Sequence, residues 1–133
     1  MNQILPKIVV ITIVDDDEPL REALGSVLKA AGFVTDTFAS AEEFLDSPQR
    51  SKTSCLILDV RLPGMSGIEL QRRLRDANSE VPIIFVTAHG DGTLRDLVMK
   101  AGAAGFLNKP VRSETLLKKL YAVLDKCDTD QHS

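Results

Sequence analysis

Five short apolar runs alternate with five segments of helical periodicity, and this alternation limits the folds that the chain can adopt. The first run, residues 8–14, is β-branched and almost continuously apolar, as expected of a strand covered on both faces. Strands that alternate with helices predict one open parallel sheet with right-handed crossovers. With 133 residues the chain is too short for a closed barrel of eight such units. The expected fold is therefore an α/β, doubly wound (βα)5 unit with strand order 2-1-3-4-5.

Local sequence signals mark where the expected strands and helices begin and end. The other predicted strands cover residues 33–38, 55–58, 83–86 and 105–108. The residues expected to cap the five helices are Asp17, Ser40, Ser66, Asp91 and Ser113. Gly32 and Gly102 are expected to end the first and fourth helices. We expect one domain over residues 1–133, with a core from about residue 7 to 126 and a polar, frayed tail at 127–133.

The composition argues against several classes of function. Sixteen basic and nineteen acidic residues give a net charge of -3 and a pI near 5.3, so no broad basic face is expected to grip nucleic-acid phosphates. Two cysteines make no disulfide framework and favour a reducing setting. The longest apolar stretch is far shorter than the ~20 residues that span a bilayer. We therefore expect a cytoplasmic domain that contacts neither a membrane nor, directly, nucleic acid.

Polar residues follow the predicted strands at one edge of the sheet. Asp15 and Asp16 follow the first strand, Asp59 the third, Thr87 the fourth and Lys109 the fifth. In open parallel sheets, ligands bind beyond the carboxyl ends of the strands. The neighbouring first and third strands would bring three carboxylates together, and their mutual repulsion favours a bound cation. Because Mg²⁺ prefers oxygen ligands of this kind, the sequence predicts an Mg²⁺ site.

The Lys109 ammonium and the Thr87 hydroxyl are expected at the same edge of the sheet, on the side of the predicted metal site where the fourth and fifth strands end. Mg²⁺ sites of this kind commonly complete their coordination with phosphoryl oxygens, which Lys109 and Thr87 could contact. A carboxylate can attack phosphorus to form an aspartyl phosphate where cations neutralise the equatorial oxygens. Asp59 lies centrally and is the expected nucleophile. Each residue alone has a plainer explanation, such as a helix cap, a turn or a surface lysine, but those explanations do not predict a shared edge.

Five ordered motifs carry a resemblance to a known family. They are Val-Asp-Asp-Asp-Glu-Pro at 14–19, Asp-Val-Arg-Leu-Pro-Gly-Met-Ser-Gly at 59–67, Thr-Ala-His-Gly-Asp at 87–91, Lys-Ala-Gly-Ala at 100–103, and Phe106 followed by Lys109-Pro110. With these motifs the chain resembles the receiver domains of two-component response regulators, from residue 8 to about 124. Within that family it looks like the FixJ-type, or nitrogen-fixation regulator, subfamily. The resemblance implies a flavodoxin- and CheY-like fold.

The resemblance also implies a role for each site residue. Asp59 would accept a phosphoryl group from a phosphohistidine on a sensor histidine kinase. Asp16 and Asp59 would ligate Mg²⁺ directly, Asp15 would join directly or through water, and the backbone carbonyl of Arg61 would supply a further oxygen. Lys109 would pair with Asp59 at rest and contact the phosphoryl oxygen afterwards. The domain would then catalyse only its own phosphorylation and dephosphorylation.

The same resemblance implies a two-state switch. The Thr87 hydroxyl would move toward the phosphoryl group and Phe106 would turn inward, changing the surface formed by the fourth helix, the fifth strand and the fifth helix. Phosphorylation could then drive homodimerisation through the fourth helix and fifth strand. The Lys109-Pro110 peptide bond is expected to be cis.

Two other classes of function remain as alternatives. Asp15, Asp17, Thr87 and Lys109 could be interpreted as a haloacid-dehalogenase-like phosphatase, although that family needs a later acidic motif and would leave Asp59 without a role. A pseudo-receiver would bind proteins without being phosphorylated, and the complete set of acids, threonine and lysine argues against it. Two forms of output also remain as alternatives. The chain is either a stand-alone receiver that signals by protein contact or the receiver portion of a longer transcription regulator.

Overall fold

Five parallel strands form a single sheet, and helices cover both of its faces. The computed structural model describes residues 8–88 and 90–132, with side chains described as far as residue 126. The strands are β1 (Val10–Val14), β2 (Val34–Phe38), β3 (Cys55–Asp59), β4 (Ile83–Thr87) and β5 (Gly105–Asn108). The helices are α1 (Glu18–Ala30), α2 (Ala41–Asp46), α3 (Gly67–Asp76), α4 (Gly92–Lys100) and α5 (Ser113–His132). The strand order is β2-β1-β3-β4-β5, which confirms the predicted fold.

Alternating side chains of the central strands fill two separate cores. Ile11 and Ile13 of β1 are completely buried on the face covered by α1 and α5, where Leu28 and Leu120 pack against them. Leu56 and Leu58 of β3 belong to the cluster on the opposite face, which α2, α3 and α4 cover. These side-chain positions follow from the two-residue period of a strand. Burial on both faces explains why the runs are continuously apolar.

Four of the helices have the N-cap residues that the sequence predicts. The Asp17, Ser40, Ser66 and Asp91 side chains each accept a hydrogen bond from the backbone N–H three residues later. Two of the helices end next to glycines in the left-handed region, with φ of 98° at Gly32 and 106° at Gly102. The cap signals therefore placed these helix ends within a residue or two of their positions in the structure.

Besides one-residue shifts at the ends of β2, β3 and β4, three boundaries differ from the prediction. Strand pairing in β1 starts at Val10 opposite Val34, so the strand begins two residues later than expected. Ser113 is the first residue of α5 and not its cap, because the Leu116 N–H already donates to the Arg112 carbonyl at 3.0 Å. The backbone of α5 continues to His132 through the segment expected to be a frayed tail, and no glycine or proline interrupts it.

The remaining differences concern short or terminal segments. A 3-10 turn, Arg50–Lys52, precedes β3 and had no signal in the sequence. The first residue of the expected core, residue 7, lies outside the described residues. Within the described part of the chain, no helix has the length and apolar character needed to cross a bilayer.

Gly67 lets α3 begin directly against the end of β3. Its N–H donates to the Val60 carbonyl at 2.9 Å, and a Cβ at this position would overlap the backbone carbonyl of Asp59. Gly92 occupies the equivalent first position of α4, yet a Cβ there would meet no atom within 4 Å. The two glycines are therefore a matched pair that differs in packing.

We expect Gly67→Ala to lower the free energy of unfolding by about 1–3 kcal/mol, because backbone cannot move aside as a flexible side chain can. Gly92→Ala should change it by less than about 1 kcal/mol, since alanine favours the helix and meets no obstacle. Urea denaturation of both variants measures the difference. Equal losses of stability would contradict the close packing at Gly67.

Candidate functional site

The carboxyl ends of four strands bring the expected polar residues to one edge of the sheet. Asp15 follows β1, Asp59 ends β3, Thr87 ends β4 and Lys109 follows β5. Because β1 pairs with β3 and β3 with β4, these ends are neighbours in space. Asp15, Asp59 and Thr87 are buried. The structure thus collects at one place residues that lie far apart in the sequence.

One ammonium group is shared between two buried carboxylates. The Lys109 Nζ atom lies 2.9 Å from Asp15 Oδ2 and 3.0 Å from Asp59 Oδ2. The two aspartate side chains are only 4% and 6% exposed, and that of Lys109 is 18% exposed. Hydrogen-bonded ion pairs of this kind are needed to keep carboxylates away from water. Lys109 therefore joins the loops that follow β1 and β5 to the end of β3.

Backbone groups satisfy the second oxygen of each carboxylate. Asp15 Oδ1 accepts a hydrogen bond from the Asp17 N–H at 2.9 Å, and Asp59 Oδ1 accepts one from the Arg61 N–H at 3.2 Å. Among the described residues, every buried side-chain nitrogen or oxygen has a hydrogen-bond partner. The two carboxylates are therefore held in defined orientations at the sheet edge.

The cluster carries more negative charge than Lys109 balances. Asp16 is exposed, and one carboxylate oxygen from each of Asp15, Asp16 and Asp59 lies within 4.8 Å of the others. Burial raises the pKa of Asp59, and the charge of Asp15 adds to this effect while Lys109 opposes it. Burial alone would lower the pKa of Lys109, but hydrogen bonds and attraction to Asp15 and Asp59 outweigh it and raise that pKa. The result is an oxygen-rich site with excess negative charge, which suits a divalent cation.

Thr87 ends β4 next to this cluster, and Phe106 lies in the neighbouring strand β5, opposite Phe85. Thr87 is almost completely buried, and its backbone carbonyl accepts a hydrogen bond from the Lys109 N–H at 2.9 Å. Phe106 is partly buried and packs against the core under α3 and α4. Gly90 approaches it so closely that a Cβ there would overlap the Phe106 ring. The Lys109-Pro110 peptide bond is cis.

Two contacts near the site had no signal in the sequence. Arg21 of α1 donates from Nη1 to the Asp15 backbone carbonyl at 2.7 Å. Glu42 of α2 accepts a hydrogen bond from the Met65 N–H at 2.8 Å, and this bond lowers the pKa of its carboxyl. Both are polar residues of amphipathic helices, where a solvent-facing side chain is the ordinary expectation. Only the tertiary approach of the helices to the loops makes these contacts.

Comparisons with known proteins agree on the family. The family described as the response regulator receiver domain matches residues 11–121. Response regulator protein TodT of Pseudomonas putida is 45% identical over 115 residues, which cover 86% of this chain and 51% of TodT. Transcriptional regulatory protein FixJ of Bradyrhizobium diazoefficiens is 36% identical over 118 residues, which cover 89% of this chain and 58% of FixJ. The chain therefore spans about half the length of these curated relatives.

A solved structure gives the same result for the fold and the sequence together. The crystal structure of FixJ-N superposes with a TM-score of 0.79 at 34% identity, covering 90% of this chain and 96% of that chain. These similarities confirm the resemblance that the five motifs indicated, including its FixJ-type character. The chain belongs to the response regulator receiver domain family of two-component systems.

Proposed function

We propose that this domain accepts a phosphoryl group on Asp59 from a phosphohistidine of a sensor histidine kinase. An oxygen of the Asp59 carboxylate attacks phosphorus, the bond between phosphorus and the imidazole nitrogen breaks, and the imidazole leaves with the electron pair. The observation that carries this proposal is the contact of Lys109 Nζ with Asp59 Oδ2 at 3.0 Å at the strand edge. That ammonium is already placed beside the reacting carboxylate, where developing phosphoryl charge needs a cation.

The same proposal assigns a metal site to the acidic cluster. Receiver domains generally bind Mg²⁺ at an acidic pocket, and the carboxylates of Asp15, Asp16 and Asp59 fit such an ion in type and in spacing. These three carboxylates and the backbone carbonyl of Arg61 would ligate the ion. The ion supplies positive charge to the phosphoryl oxygens when it is bound. Exposed Asp16 gives the site an open side toward solvent.

Phosphorylation would then act as a switch through residues of the same edge. Lys109 transfers its hydrogen bond from Asp59 to a phosphoryl oxygen, the Thr87 hydroxyl moves toward that group, and Phe106 turns inward. The altered surface is formed by α4, β5 and α5. Val98 is the buried residue of α4 whereas Leu97 and Met99 are exposed, and this limited anchoring supports a helix that can shift. Homodimerisation through α4 and β5 is part of this proposal.

The regulated output is proposed from the relatives. FixJ is a transcriptional regulator by name, and the chain covers 58% of it. We therefore infer that this receiver controls a transcriptional output domain in the cytoplasm, with the kinase as its partner and without contacting nucleic acid or membrane itself. A stand-alone receiver and a phosphorylation-independent pseudo-receiver are the competing interpretations. Membership of a signalling family disfavours the phosphatase interpretation.

Incubation with acetyl phosphate and Mg²⁺ should add one phosphoryl group to the intact chain, measured by mass spectrometry. Asp59→Ala and a chelator should each abolish the adduct, because one removes the nucleophile and the other removes the cation. Asp76→Ala, which removes an exposed aspartate at the end of α3, is the matched control and should be modified like wild type. An unmodified wild type that still binds Mg²⁺ would favour the pseudo-receiver.

Asp59→Asn should stabilise the metal-free domain by roughly 1 kcal/mol at neutral pH, because it removes a buried negative charge beside Asp15. Burial raises the pKa of Asp59 in the folded state. Ionisation of Asp59 therefore costs stability as the pH rises through the interval between its unfolded and folded pKa. The advantage of the variant should shrink as the pH falls through that interval.

Thermal denaturation with a chelator, at several pH values, measures this difference. Added Mg²⁺ should raise the melting temperature of wild type more than that of Asp59→Asn, since the variant has lost one metal ligand. A variant that is less stable than wild type at neutral pH without metal would contradict the proposed charge imbalance.

A further inference from the structure

Arg21 reaches from α1 back to the turn that carries Asp15 and Asp16. Its Nη1 donates to the backbone carbonyl of Asp15 at 2.7 Å, a short distance typical of a charge-assisted hydrogen bond. The side chain is only 16% exposed, whereas Glu18, with which it forms an ion pair at 3.9 Å, is 74% exposed. The guanidinium is therefore committed to the main chain of the turn more than to a surface ion pair.

The carbonyl that Arg21 holds belongs to the peptide unit between the two acidic residues. Because a peptide unit is planar and includes the Cα atoms of both Asp15 and Asp16, restraining its oxygen also restrains the positions of those two Cα atoms. The same turn is held by the Asp15 N–H, which donates to the Phe38 carbonyl at 3.1 Å, and by the Asp17 N–H, which donates to Asp15 Oδ1 at 2.9 Å. Arg21 adds a restraint from a third direction, that of α1.

The charge and the hydrogen bond of Arg21 have opposite consequences for a bound cation. A positive side chain beside an acidic cluster repels a divalent ion and by itself weakens its binding. Orientation of the ligands strengthens binding, and partners that orient metal ligands typically contribute about 10–100-fold in affinity. If removal of the Arg21 side chain weakens metal binding, its orienting role is the larger one. If removal strengthens binding, its repulsion of the cation is the larger one.

We propose that Arg21 is a positioning residue that holds the Asp15–Asp16 turn in the geometry that binds the divalent cation. This inference rests on the proposed function, because it assumes that the acidic cluster binds Mg²⁺. In this role Arg21 is not required to contact the ion or the phosphoryl group. It acts through the backbone carbonyl of Asp15.

Titration calorimetry with Mg²⁺ on the whole chain tests the inference. Arg21→Ala should weaken binding about tenfold or more, and Arg21→Lys, which keeps a charged donor, should recover most of the affinity. Arg50→Ala is the matched control, because Arg50 is an exposed arginine in the 3-10 turn before β3, at the opposite end of the strand from Asp59. Its affinity should stay within about twofold of wild type, since distant exposed charges are screened.

Backbone hydrogen exchange in the metal-free protein gives a second measurement that does not depend on Mg²⁺. Arg21→Ala should speed hydrogen exchange of the Asp17 amide, which donates a hydrogen bond to Asp15 Oδ1. It should leave the exchange rate of the Ile57 amide in the core unchanged. If the alanine variant also loses core protection, Arg21→Gln, which retains polarity without charge, replaces it in both measurements. Slower or equal Asp17 exchange would overturn the inference.

The possible failures are distinguishable. Unchanged or tighter Mg²⁺ binding by Arg21→Ala, with wild type binding normally, would overturn the positioning role and leave the proposed function intact. Wild type that binds no Mg²⁺ would overturn the metal site of the proposed function, and this inference with it.

Discussion

The ammonium group of Lys109 is the interaction on which the functional edge of the sheet depends. It lies about 3 Å from carboxylate oxygens of both Asp15 and Asp59, whose side chains are nearly inaccessible to water. Two carboxylates in such a place would repel each other and lose hydration without compensation. A single lysine makes their burial possible but does not neutralise the cluster, because Asp16 adds a third carboxylate. The site thus keeps an excess of negative charge, which favours a bound cation.

The doubly wound sheet explains why such a cluster forms from distant parts of the chain. Apolar side chains on both faces bury β1, β3 and β4, and the parallel direction brings their carboxyl ends to one edge. Separate contacts then hold the loops that follow the strands. Gly67 packs on the end of β3, and Glu42 accepts a hydrogen bond from the Met65 N–H in the loop after β3. Arg21 donates a hydrogen bond to the Asp15 carbonyl in the turn after β1. In the proposed function, this edge with its many hydrogen bonds contrasts with α4, whose one buried residue is Val98 and which is suited to respond.

Much of this arrangement is readable from the sequence, and the reason is physical. Continuous apolar runs predict strands buried on both faces, and capping residues such as Asp17 and Ser66 predict helix starts. Once the sheet is parallel, its topology alone brings Asp15 and Asp59 together. The contacts of Arg21 and Glu42 were not predictable, because they depend on how closely packed helices approach loops. The start of α5 differs from the prediction because the backbone carbonyl of Arg112 accepts the hydrogen bond expected for the Ser113 side chain.

The most direct test of the account is the chemical location of the phosphoryl group. Reduction of the phosphorylated chain with borohydride converts an aspartyl phosphate to homoserine, which marks the modified residue permanently for peptide sequencing by mass spectrometry. We expect homoserine at position 59 and unmodified aspartate at positions 15 and 16. Homoserine at either of those two positions, or a phosphorylated chain in which residue 59 stays aspartate, would contradict it.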